Sequence, residues 1–239
     1  MRIIVLAFAG IIYLNEGITQ TVIPLEVLNT SSQKEDRTIV SFRNTRNKQL
    51  PRGYEQEALD ALAHFPELKN VPIRFKVKKS FATLKTRPAF WSLFKSKGKR
   101  SYVIKISNQT NQKLMPISFE YLPESARIGI IGHELSHVAD FSKKTAWQSM
   151  KVAFGHLSRH YMDSLEFHTD KICIEHGLGN ELETWSRFIR NTMHTKFWRG
   201  ADFVNHTDNK FERYMNPSTI EKFMADEISV QDSTTINAH

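Results

Sequence analysis

The stretch Ile130-Ile131-Gly132-His133-Glu134-Leu135-Ser136-His137-Val138-Ala139-Asp140 sets two histidines and a glutamate inside an otherwise apolar run. Ala126, Ile130, Ile131, Leu135 and Val138 recur at the three- and four-residue spacing of one helix face, which predicts a helix starting after Pro123. On that helix His133 and His137 stand one turn apart on the same side, about 6 Å from each other, so both imidazoles can reach one metal ion. Glu134 lies about 100° round the helix and reaches a water activated by the metal rather than the metal itself. Polar side chains in an apolar face cost free energy unless they have a partner. The pattern therefore points to a metal-centred site with Glu134 as base and Zn2+ as cofactor, since a water on zinc approaches pKa ~7.

A catalytic zinc site takes three protein ligands and keeps one position open. The metzincin pattern would put Gly at 140 and His at 143, but Asp140 and Lys143 stand there, which excludes that family. Downstream, Leu165-Glu166-Phe167-His168-Thr169-Asp170 carries two carboxylates one helical turn apart. In these two motifs, residues 124 to 178 resemble the gluzincins, zinc metallopeptidases whose two-histidine motif is completed by a Glu-x-x-x-Asp helix. The resemblance implies a zincin-like fold, while strand alternation before Pro123 and helical periodicity after it predict an α+β arrangement, with a small, mostly antiparallel sheet packed on the active-site helix and a helical C-terminal half. It also implies that Glu166 is the third zinc ligand and that Asp170 orients a ligand histidine. A peptide or protein substrate would lie as an added strand along a sheet edge, for which Tyr102, Val103, Ile104, Lys105 and Ile106 are the expected strand.

Rival third ligands fit less well. His168 points about 200° away from Glu166, and His176 lies about 15 Å along the helix. His160 has no carboxylate one turn after it, and the short Asp140 would have to reach back to the metal from the turn after His137. Tyr161, His194, His206, Arg213 and Tyr214 are candidates for stabilising an oxyanion. Tyr214 is preferred, because Glu212 to Pro217 reads as a loop entering a final helix. Cys173 shares a face with Glu166 and Asp170 and reads as a small buried hydrophobe. Phe90, Trp91 and Phe94 read as core.

Around these motifs, 239 residues at 40% hydrophobic composition suit one domain. Arg2 followed by the apolar run Ile3 to Leu14 predicts a signal peptide over residues 1–20, ahead of a single domain at 21–239. Export to the periplasm or the exterior follows, with a short uncleaved membrane anchor as the alternative. Cys173 is the sole cysteine, so no intramolecular disulfide forms. Helices are expected over Tyr54 to His64, Lys144 to Ser158, Tyr161 to His176 and Asn180 to Thr192, with a short one after Pro217. Strands are expected at Ile73 to Val77, Tyr102 to Ile106, and Thr38 to Phe42 within an otherwise loose Ser31 to Arg52.

The net charge of +8 is uneven, because no acidic residue occurs between Glu67 and Glu120 while Lys and Arg recur from Arg74 to Lys105. Such a field favours acidic substrates or an anionic surface, against the plain alternative of a solvated lysine-rich face. If Ser101 to Asn108 is the edge, Lys99, Arg100 and Lys105 sit beside the cleft. A DNA-associated protease resembling the SprT-like group would use the same field on nucleic acid, but the leader and Glu166 as best ligand argue against it. A catalytically silent metal-binding protein is the third reading, and the intact Glu134 argues against that one.

Overall fold

Alternating apolar residues build the sheet. Ile73 and Phe75 on one strand, and Tyr102, Ile104 and Ile106 on another, turn to one face and are buried. The computed structural model describes residues 11–13, 22–24, 47–78, 84–88, 100–107, 112–145, 148, 158–200 and 212–236. Its strands are β1 (Ile11–Tyr13), β2 (Val22–Pro24), β3 (Lys48–Gln49), β4 (Ile73–Val77), β5 (Leu84–Pro88) and β6 (Tyr102–Ile106). The helices are α1 (Glu55–Ala63), α2 (Glu124–Lys143), α3 (Arg159–Glu175), α4 (Gly179–Thr192) and α5 (Pro217–Ile236). The fold is thus α+β.

The main sheet has the order β3-β4-β6-β5, and it corrects two expectations. β3 pairs with β4, and β4 with β6, in parallel; only β5 runs antiparallel, against β6. The sheet is therefore mixed rather than mostly antiparallel. Alternation reveals which face of a strand is buried but not the direction of its partner, which explains the error. The second correction concerns Tyr102, Val103, Ile104, Lys105 and Ile106, which form an interior strand and not the edge. All but Lys105 are buried, the near-continuous apolar signature of a strand flanked on both sides.

Among the described residues the edge strands are β3 and β5, and α2 packs against β5. Its sequence Leu84-Lys85-Thr86-Arg87-Pro88 carries little apolar signal, and a terminal proline suits an edge. β3 was also hidden, inside a segment that reads as loose. It is anchored by Lys48, whose Nζ donates to the carbonyls of Leu68 at 2.8 Å and Val71 at 2.7 Å while burial pulls its pKa down to about 8.

The expected strand Thr38 to Phe42, nearly all of the expected helix Lys144 to Ser158, and Phe90, Trp91 and Phe94 lie outside the described residues. Of residues 1–20, where a signal peptide is expected, only β1 is described; it pairs antiparallel with β2. Among the described residues no helix is long and apolar enough to cross a membrane. Arg100 is buried and donates from Nη1 to the carbonyl of Lys144 at 2.8 Å, so it ties the start of β6 to the end of α2 rather than joining a surface field.

Helix α2 is the centre of the molecule. Residues Gly129 to Ala139 are buried without a break, among them Ile131, Leu135 and Val138 at 0% exposure. Each such side chain contributes about 1.5–3 kcal/mol of burial. The sheet, α1, α3 and α4 surround it. α3 ends at Gly177, whose φ of 77° is left-handed; Gly177 N donates to Ile174 O at 2.8 Å and Leu178 N to Cys173 O at 3.2 Å. This tight stop sends the chain straight into α4. Cys173 is wholly buried in the core, as its reading as a small hydrophobe implies. The final helix α5 is 20 residues long, not short.

At the crossing of α2 and α4 a methyl group on Gly129 would lie 2.2 Å from the backbone oxygen of Glu181 and 2.7 Å from the nitrogen of Leu182. Backbone cannot swing aside as a side chain can. Gly129→Ala should therefore destabilise the protein by about 3 kcal/mol, read as a lower midpoint with unchanged slope in urea unfolding. A midpoint within error of the parent would show that the helices do not approach this closely.

Candidate metal centre

His133 and His137 project from α2 toward Glu166 on α3, and their ligand atoms lie within 4.8 Å of one another. Glu166 Oε2 is 3.1 Å from His133 Nε2 and 3.2 Å from His137 Nε2. Four ligands at about 2.05 Å around a tetrahedral ion stand about 3.3 Å apart, so the carboxylate oxygen already lies at nearly coordination spacing from both imidazoles. All three are buried, at 2% exposure for His133 and 7% for His137 and Glu166. This group can hold a metal ion.

The other ring nitrogens are fixed as well. His133 Nδ1 lies 2.7 Å from Asp170 Oδ1, and His137 Nδ1 lies 3.1 Å from the Thr169 hydroxyl, which itself donates to Leu165 O at 2.8 Å. Each contact holds an imidazole with Nε2 toward the metal position. The Asp170 contact is the one the Glu-x-x-x-Asp pattern suggests. Thr169 was missed, although its position three residues after Glu166 puts it on the same helix face.

The rival ligands are committed elsewhere. His168 and His160 are exposed. His176 Nε2 is 2.9 Å from Glu67 Oε1, and its ring stacks on Phe65. Asp140 pairs with Lys144.

Charge in the site is balanced by protons or by metal. Burial opposes the imidazolium of His133, but the hydrogen bonds and charges of Asp170 and Glu166 outweigh it and hold its pKa well above the ordinary histidine value. Burial also opposes the carboxylate of Glu166, yet the charge of His137 and the hydrogen bonds from His133 and His137 hold it well below the usual carboxylate range. A divalent cation held by His133, His137 and Glu166 would take over the role of that proton.

Glu134 is buried at 5% exposure. The ring of Tyr214 lies 5.7 Å from that of His133 and 5.6 Å from Trp185. Burial, with the charges of Glu166 and Glu134, pushes the Tyr214 phenol well above its ordinary pKa, so it stays a proton donor. Of the other oxyanion candidates, Arg213 Nε donates to the buried Asp163 Oδ1 at 2.8 Å, and His206 lies outside the described residues.

The segment bearing Tyr214 is held through its backbone. Arg190 Nη2 donates to Tyr214 O at 3.0 Å, Met215 N donates to Asp170 Oδ2 at 2.7 Å, and the Ser186 hydroxyl donates to Met215 O at 2.8 Å. None of these anchors is marked by a local motif; they follow from how α3 and α4 pack.

Comparison with models of known families, with curated proteins and with solved structures finds no match to this chain. The functional reading rests on the residues themselves.

Because metal must displace the proton of His133, its binding should release protons and tighten as pH rises. The gain should be up to about tenfold per pH unit at pH values below His133's raised pKa, levelling off once that pKa is passed. Titration calorimetry in two buffers of different ionisation enthalpy measures this directly; a pH-independent affinity with no proton release would contradict it.

Proposed function

We propose that the chain is a zinc-dependent peptidase, in which His133, His137 and Glu166 hold the ion and Glu134 is the general base. The observation that carries this reading is the convergence of two imidazole Nε2 atoms and one carboxylate oxygen at coordination spacing. Two nitrogen donors and one oxygen donor, with both histidines fixed from behind, are the donor set of a catalytic zinc site of the His2Glu kind. The resemblance to the gluzincins supports the same assignment.

When bound, zinc supplies an acidified water and polarises the scissile carbonyl. The remaining steps belong to side chains of this protein. Glu134, next in sequence to His133 and about 100° round the helix from it, takes the proton of the attacking water and delivers it to the leaving amine. Tyr214 donates its phenolic hydrogen to the oxyanion that develops on the carbonyl. β5, the antiparallel edge strand against α2, offers its outer backbone to an extended peptide, the task first expected of β6.

Glu134→Gln should leave zinc content and fold intact while lowering turnover by at least about 100-fold. Tyr214→Phe should lower kcat by about 100-fold with little change in KM, the pattern of a contact made only in the transition state. Both are measured on peptides drawn from a proteomic cleavage screen. Full activity in Glu134→Gln would sink the mechanism.

A further inference from the structure

The pairing register sorts the basic stretch onto one side of the sheet. Arg74 is opposite Val103, and Val103 opposite Arg87; Lys76 is opposite Lys105, and Lys105 opposite Lys85. These two rows belong to the face opposite Ile73, Phe75, Tyr102 and Ile104, which are buried in the core with α2. Five of the six positions are therefore cationic, and one row is lysine on three neighbouring strands.

Like charges directly across a sheet repel. Acidic residues on the neighbouring positions would relieve that repulsion, yet the sequence has none between Glu67 and Glu120. Arg74, Lys76 and Lys78 are exposed, and among the described residues they make no ion pair. At the β3 end of this face a cleft of about 300 Å³ is lined by Asn47, Gln49, Arg74, Ser101 and Val103. Arg74 is the exposed cation among its lining residues, and the space is large enough for a phosphate group.

We propose that this face of the sheet docks on an anionic phospholipid surface. Each cation held near such a surface adds to the attraction, and the exposed Arg74, Lys76 and Lys78 stand together on one side of β4 and its continuation. The described residues of the face bring no aromatic ring on which a nucleic-acid base could stack. The proposal is independent of the peptidase reading.

Co-sedimentation of the full chain with vesicles tests it. Vesicles in which a third of the phosphatidylcholine is replaced by phosphatidylglycerol should retain the protein at low salt, pure phosphatidylcholine vesicles should not, and about 0.3 M salt should release it. The double substitution Arg74→Glu, Lys76→Glu should weaken binding by roughly 30-fold or more. Lys222→Glu, on the exposed side of α5, should change it by less than about 3-fold, which separates a patch effect from net charge. Arg74→Gln, Lys76→Gln should fall between the parent and the Glu pair, and retained circular dichroism shows that these variants fold. Equal binding to neutral vesicles, equal losses for the patch and for Lys222, or tighter binding to duplex DNA than to the anionic vesicles at the same salt would each overturn the proposal.

Discussion

The carboxylate of Asp170 joins the parts on which everything else depends. One oxygen accepts the Nδ1 hydrogen of His133 at 2.7 Å, and the other accepts the backbone hydrogen of Met215 at 2.7 Å. Three segments distant in sequence thus meet on one buried side chain: the two-histidine helix, the Glu166 helix and the strand of chain that presents Tyr214. A buried carboxylate with both oxygens satisfied fixes geometry strongly, because breaking either contact leaves an uncompensated charge in the core. Ligand orientation and placement of the phenol are set together.

The surroundings follow the same logic. α2 has no solvated face over residues 129 to 139, so its two histidines and its glutamate sit where polar groups are expensive. Their neighbours on α3 make the arrangement tolerable. One turn before Glu166, the buried Asp163 accepts from Arg213 Nε and from Arg199, and so pins both ends of the stretch that precedes Tyr214. On α4, Arg190 reaches Ser186, Asn216 and the carbonyl of Tyr214, and burial draws its pKa down to about 10. These buried ions serve position more than stability, since ion pairs removed from water gain little net free energy.

How much of this could be read beforehand depended on the range of each interaction. The helix of His133 and His137 declared itself through local spacing, and so did the Glu166 to Asp170 turn, because residues three and four apart share a helix face. Strand direction and order did not, since they depend on which distant segment lies alongside. The expected edge, β6, has in Tyr102, Val103 and Ile104 the apolar character of an interior strand, and β5, the edge against α2, is written mostly in polar residues. Arg100 illustrates the same limit: counted with the surface cations, it is buried by a carbonyl 44 residues away. Thr169, Asp163 and Arg190 act through tertiary contacts that carry no motif of their own.

X-ray absorption at the zinc edge of the loaded protein examines the ligand set itself. The expected result is a first shell of two imidazole nitrogens and light oxygen donors at about 2.0–2.2 Å, with the outer-shell scattering of two histidine rings. A sulfur at about 2.3 Å, which only Cys173 could supply, or the scattering of a third imidazole would contradict the assignment of Glu166.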